Sequence, residues 1–240
     1  MPKLKFGYLV LFGFWILSFG FSVQAQDLGA RPMGFGGAFM GLADDANAVF
    51  SNPAGIGLVS KESATASTRL LEGTNYSMIA GVETTDYGSF GVGYVASTST
   101  SQEAQQTLYL SLARNLNQAM VIPENMGLLS LGVNLQIINQ KNVAARYDGK
   151  VGVIFKPADY ISFGVAAGKR DLKSGVSGNL FNNKITWTAE QDKVGCEWKP
   201  VDLLAFRVGT NSSGVGVKVN GVAIDYAYSN QAHYWSVGVL

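Results

Sequence analysis

Few side chains in this sequence are equipped for chemistry at neutral pH, and their spacing argues against most of it. The one histidine, His233, stands three residues before Ser236, where a Ser–His hydrolase pair might be sought. In a strand, residues three apart face opposite ways, so these two cannot meet directly. The one cysteine, Cys196, shares a period-2 phase with Val194 and Trp198 and reads as a small lipid-facing hydrophobe. A single cysteine also excludes an intrachain disulfide and a Cys-based zinc site. Gly34-Phe-Gly36-Gly37 and Gly91-Val-Gly93 brush against the dinucleotide fingerprint. The first follows no strand and carries Phe39 at the third glycine position, and the second has no helix after it. Asp44-Asp45 could bind a metal or gate a pore, or could satisfy backbone and Arg groups, with Arg31 the candidate partner. No acid, base and nucleophile converge. The expectation is a protein that is not an enzyme, with no metal and no cofactor.

The elements that must carry these residues are strands. Glycine (29 residues) and aromatics (11%) are abundant together, a pairing that suits a barrel with a crowded inner face and not a helical protein. Lys+Arg (18) nearly balance Asp+Glu (17), which gives no electrostatic case for nucleic acid. In Leu129-Leu131-Val133-Leu135-Ile137 one face is wholly apolar, and the other holds Ser130, Gly132, Asn134 and Gln136. That alternation places the apolar set in lipid and the polar set in a lumen. Tyr76, Tyr94, Tyr147, Trp198, Tyr226, Tyr228 and Trp235 read as an interface girdle. Ile79, Tyr109, Ile154, Tyr160 and Leu203 read as scattered apolar positions inside.

An internal repeat defines the building unit. Val151–Val165 aligns with Val194–Val208 at seven identities in fifteen positions, each copy strand, Lys-Pro-x-Asp turn, strand. The outward sets are apolar in both copies. Glu197 and Arg207 point inward from paired strands, a candidate lumen ion pair. Twelve strands are predicted, at 62–70, 75–83, 88–96, 105–114, 127–139, 145–156, 159–169, 184–199, 202–210, 213–219, 221–229 and 232–240. The even number suits a bacterial single-chain barrel. The phase change at Glu190–Lys193 predicts a bulge, and 97–104 and 170–183 are expected as outer loops.

The N-terminus reads as an export signal. Lys3 and Lys5 precede an uncharged apolar stretch from Phe6 to Phe21, and Ser22-Val-Gln-Ala25 supplies small residues for a cut before Gln26. An uncleaved anchor is the competing reading of that stretch. The chain closes on Trp235, Val237 and Val239 in alternation and ends on the hydrophobic Leu240, as substrates of the barrel-assembly machinery do. The predicted organisation is a signal peptide at 1–25, a hatch segment at 26–60 and a transmembrane barrel at 61–240, placed in the bacterial outer membrane with its lipid as partner.

Between leader and barrel, Phe35, Phe39, Leu42, Ala46, Val49 and Phe50 fall near helical spacing, and Asn52-Pro53 stops the helix. Four glycines between 34 and 41 make it a poor free-standing helix, so it needs a surrounding to pack into. Gly29-Ala-Arg31, Met33-Gly34, Gly36-Gly-Ala-Phe39, Ala43-Asp-Asp-Ala46 and Asn52-Pro-Ala-Gly55 together resemble the N-terminal signature of FadL-like outer-membrane proteins, especially the PorV/PorQ branch. The match covers about 30 residues strongly. The resemblance implies a plug folded into the barrel mouth, with Arg31, Asp44, Asp45, Asn52, Pro53 and Gly55 as hatch or gating candidates. Barrels of that family usually have fourteen strands and long outer loops, and the predicted twelve depart from that. The FadL side implies a channel or binding barrel for small hydrophobic compounds. The PorV/PorQ side implies a non-enzymatic scaffold or shuttle for type IX secretion or an envelope complex, with secretion-system proteins as partners.

Overall fold

A computed structural model describes residues 29–60, 62–71, 74–99, 104–118, 126–169 and 171–239. The expected leader, its cleavage position, Leu240 and parts of the loops lie outside these. Fourteen antiparallel strands close into one barrel, each paired with the next and β1 with β14. They are β1 Ser63–Leu71, β2 Thr74–Thr85, β3 Gly88–Ser99, β4 Gln105–Asn115, β5 Leu128–Gln140, β6 Val143–Ala158 and β7 Ile161–Gly168. The rest are β8 Leu172–Leu180, β9 Ile185–Glu190, β10 Lys193–Val201, β11 Leu204–Gly209, β12 Ser212–Val219, β13 Val222–Ser229 and β14 Ala232–Val239. The seam is in register from Ala64↔Val239 to Leu70↔His233.

Both strands beyond the expected twelve come from one region. The expected loop 170–183 contains β8, whose outward positions include Ser174 and Gly178 and so lack the apolar phase that marks its neighbours. The outer face there is supplied by the partner strand: a Cβ on Gly178 would lie 2.6 Å from the Trp187 indole, which lies across it. The expected bulge in 184–199 is a hairpin turn between β9 and β10, with Lys193 opposite Glu190. Gln191 takes the left-handed conformation there (φ +48) in a turn without glycine, so the usual punctuation is missing. Ser177, expected in an outer loop, lies buried on the inner face of β8. Because two strands were added, the parity of every later turn is unchanged.

The Lys-Pro pairs are not the turns themselves. β6 and β10 run through them, and pairing slips between Phe155 and Ala158 and between Trp198 and Val201. Proline lacks the ladder donor, so the register breaks at each copy, and the chain reverses at Asp159-Tyr160 and Asp202-Leu203.

The inside–outside phase of the repeat holds. Val151, Val194, Trp198, Phe206 and Val208 are exposed on the outer wall, whereas Gly152, Ser162, Glu197 and Arg207 are buried inside. Two assignments reverse. Ile79 is exposed on the outer wall, and Tyr76 faces inward, its ring 4.7 Å from the Arg69 guanidinium carbon. Tyr160 and Leu203 are exposed in turns, so Tyr109 and Ile154 are the inward apolar residues of that group.

Residues 29–59 pack against the inner wall. Helix is confined to α1, Ala30–Gly34, and two 3-10 turns, Ala46–Val49 and Pro53–Leu58; the glycines that weakened the longer helix leave only these turns. Phe35, Phe39, Phe50 and Ile56 are fully or nearly fully buried and join Met78, Val82 and Ile154 of the wall in one apolar core.

Candidate functional site

The small inner-face residues of the barrel are where this segment sits. A Cβ on Gly164 would stand 2.0 Å from the Met40 carbonyl oxygen, and one on Gly132 would stand 2.4 Å from the Pro53 carbonyl carbon. Backbone meets backbone there, which only glycine permits. Polar inner-face side chains then hold the hatch by its own peptide groups. The Phe39 and Met40 amides donate to one oxygen of Glu190 at 3.0 and 3.1 Å. Ser130 Oγ donates to Ala54 O at 2.7 Å, Ser177 Oγ to Gly41 O at 3.0 Å, and Asn134 Nδ2 to Val49 O at 3.2 Å.

Asn52 is the residue that binds the hatch to itself and to the wall. Wholly buried, its Nδ2 donates to Met40 O at 3.1 Å and Val153 O at 3.3 Å, while its Oδ1 accepts from Ala54 N at 3.2 Å. That last bond is an N-cap, and Pro53 follows at the first position of the turn, where its missing N–H costs nothing. Gly55 passes so close to Ala43 that a Cβ would lie 2.1 Å from the Ala43 oxygen.

Arg31 takes Asp44 by two nitrogens, at 2.6 and 3.1 Å, and Asp45 by one at 2.6 Å. The second oxygen of Asp45 caps the first 3-10 turn by accepting from Asn47 N at 2.8 Å. The pair therefore ties α1 to the next turn of the hatch. Desolvation would raise the Asp44 carboxyl; the Arg31 guanidinium, by charge and by hydrogen bond, together with Lys156 and Lys199, holds it below its ordinary value. Desolvation works against the Arg31 charge, and Asp44 and Asp45 more than restore it.

Facing this triad on the wall is a cluster of four charges. Arg207 Nε donates to Glu197 Oε2 at 2.6 Å and Nη1 to Asp225 Oδ1 at 2.6 Å, and Lys199 Nζ lies 2.9 Å from Glu197 Oε1. The Arg207 stem packs on Gly34, where a Cβ would come within 3.0 Å. Both clusters line a polar vestibule of about 660 Å³ at the end of the barrel that holds the C-terminus.

All eight candidates thus fall at the hatch or its wall contacts: Arg31, Asp44 and Asp45 in one cluster, Glu197 and Arg207 in another, and Asn52, Pro53 and Gly55 deeper in the lumen. Glu190, Asn134, Ser130, Ser177 and Asp225 were not singled out from the sequence. Their signal was a polar residue in the inward phase of a strand, too common to distinguish a hatch contact from a wetted wall. His233 lies on the outer face, its Nδ1 2.9 Å from Tyr226 Oη, and Ser236 is buried on the inner face. Among the described residues no group of His, Cys, Asp and Glu could hold a metal ion.

A closed antiparallel barrel, apolar outside and filled by its own N-terminal segment, defines the class: an outer-membrane β-barrel. No family model and no curated protein matches the chain. Solved structures do. The toluene transporter TbuX of Ralstonia pickettii has 11% identity and TM-score 0.56, over 89% of this chain and 96% of that one. The Pseudomonas putida toluene transporter TodX has 10% identity and TM-score 0.57, over 90% and 96%. A TodX deltaS2S3 mutant, a monoaromatic hydrocarbon channel, has 10% identity and TM-score 0.59, over 88% and 96%. At such identities the likeness is one of fold. Fourteen strands remove the departure in strand number that the sequence suggested.

Proposed function

We propose that this protein is an outer-membrane channel for small hydrophobic compounds, exported by the Met1–Ala25 leader, with residues 29–59 as a hatch that must shift for solute to pass. The observation that carries the reading is the apolar hatch core within the lumen. Phe35, Phe39, Phe50 and Ile56 lie against Met78, Val82 and Ile154, so displacing the hatch would uncover an apolar path along the inner wall of an otherwise polar barrel. Hydrophobic solutes gain free energy along such a path, whereas ions do not. The hydrocarbon channels of like fold support the choice of solute class.

The hatch is held to the wall by hydrogen bonds to its peptide groups, contacts that can be exchanged for water when it moves, whereas each ion cluster at the vestibule lies within one partner, Arg31 with Asp44 and Asp45 in the hatch and Arg207 with Glu197 and Asp225 in the wall. The secretion-scaffold reading of the PorV/PorQ resemblance has no contact in the described residues in its favour. The test is uptake of a radiolabelled monoaromatic hydrocarbon by intact cells, since the outer membrane is the barrier to be crossed. Cells producing the protein should take it up several-fold faster than cells lacking it, and Gly164→Leu, whose side chain would collide with Met40 and keep the hatch from seating, should be at least as fast as the parent. A barrel assembled in the membrane that gives no more uptake than cells lacking it would overturn the proposal.

A further inference from the structure

Beyond the hatch, toward the rim opposite the C-terminus, the inner wall of β6–β8 carries a pair of lysines that belong to neither vestibule cluster. Lys150 faces Gly168 across β6 and β7, and Lys173 faces Ala166 across β7 and β8. Both lysines are on the inward phase and more than nine-tenths buried, at 8% and 5% exposure. The Lys150 ammonium has no hydrogen-bond partner among the described residues. A buried ammonium without a partner is unfavourable unless a counter-charge reaches it.

Asp171, Asp148 and Glu190 act on the two lysines through space, but none of them bonds the Lys150 ammonium. Glu190 spends one oxygen on the Phe39 and Met40 amides. Lys193 stands directly opposite it in the β9–β10 pairing. Asp148 and Asp171 sit at the rim, only half-buried. Asp171 leans over Gly168 toward the Lys150 stem, where a Cβ on Gly168 would lie 2.4 Å from its Oδ1 and 3.4 Å from Lys150 Cγ. It covers the stem without bonding the ammonium.

We propose that Lys150 and Lys173 form a site for a small soluble oxyanion, phosphate or carboxylate in chemistry, on the rim side of the hatch. Strands β6 and β8 are two strand spacings apart, about 10 Å, a gap that two lysine stems reaching over the small side chains of Ala166 and Gly168 can close onto one anion. The wall of β6–β8 separates both ammonium groups from the lipid face, so a soluble anion and not a lipid headgroup is the ligand. The site does not depend on the channel reading, because a barrel that passes no hydrocarbon would still bind phosphate there.

The experiment is titration of the purified full-length barrel, in zwitterionic detergent at pH 7, with inorganic phosphate by calorimetry. Saturable binding of one phosphate is expected. Lys150→Met and Lys173→Met should each weaken it at least tenfold, and acetate should compete. Asp171→Asn, which removes a competing carboxylate, should tighten it. Lys141→Met, at the exposed β5–β6 turn, should leave it unchanged. Each variant is first checked for heat-modifiable migration, so that loss of binding is read only on closed barrels; if one lysine variant does not close, the other reads the same site. No saturable binding by the parent protein, or equal binding by the folded lysine variants, overturns the proposal.

Discussion

Replacing Asn52 by alanine isolates the hatch from the barrel that surrounds it. The side chain is neutral and wholly buried, so the cost is not blurred by solvent screening. Truncation leaves the Met40 carbonyl and the Ala54 amide without their partners, at about 1–3 kcal/mol for each buried group left unsatisfied. Val153 O also belongs to the strand ladder, so its loss adds little. The expected loss is about 2–6 kcal/mol, and it falls on the hatch alone, because no strand pairing is touched. Hydrogen exchange read by mass spectrometry on peptides from 35–58 should then show roughly 30- to 20,000-fold faster exchange, at about one decade per 1.4 kcal/mol. Peptides from β5 and β13 should exchange as before, and the protein should remain heat-modifiable. Unchanged exchange in the hatch would refute the reasoning. So would hatch and strands loosening together, since the hatch would then be part of one cooperative unit.

Further expectations follow from the same geometry. Val133→Lys puts a charge on the lipid face and should cost about 2–4 kcal/mol near the midplane, read by urea unfolding in vesicles. Asn134→Lys should also destabilise by a comparable amount, because Asn134 donates to Val49 O and Ser111 Oγ in a packed contact; equal tolerance to a charge in a wet lumen is the outcome that would count against a packed hatch. In a Cys196→Ser background, cysteines at Asn142 and Asn211 should react with an impermeant maleimide on intact cells. Cysteines at Asp202 and Asn220 should react only after the outer membrane is opened, and labelling of either on intact cells would break the fourteen-strand topology. Asp44, held by Arg31 below its ordinary value, stabilises the hatch above the usual carboxylate range and loses that contribution as pH falls through the lowered value. Asp44→Asn should therefore flatten the acid limb of hatch exchange.

Period-2 alternation was enough to show the barrel, because lipid on one side and lumen on the other impose opposite demands on successive residues. It failed at β8, where Ser174 and Gly178 break the apolar phase and Trp187 covers the gap from the next strand. It failed also at Gln191, which reverses the chain without Gly or Asn. The ionic candidates were legible because Arg31, Asp44 and Asp45 are charges in an otherwise apolar segment, and because Glu197 and Arg207 share a phase on paired strands. Glu190 and Asn134 were not, since a strand's inner face looks the same whether it meets water or a backbone amide. The lumen read as wet from its composition of Gly, Ser and Asn. Those residues are small and polar because they receive a peptide chain.

The central claim is that the hatch must move for solute to pass, and a reversible tether tests it most directly. A Cβ on Gly175 would lie 3.1 Å from Met40 Cβ, close to the 3.5–4.5 Å or so of a disulfide. Met40→Cys with Gly175→Cys, in the Cys196→Ser background, should therefore cross-link hatch to wall after small adjustment. Uptake of a radiolabelled monoaromatic hydrocarbon is then followed in intact cells before and after reduction. The account predicts uptake at the level of cells lacking the protein while the tether is oxidised, and recovery of the single-cysteine rate once it is reduced. Equal uptake in the two redox states, with the cross-link verified by mass spectrometry, would contradict it.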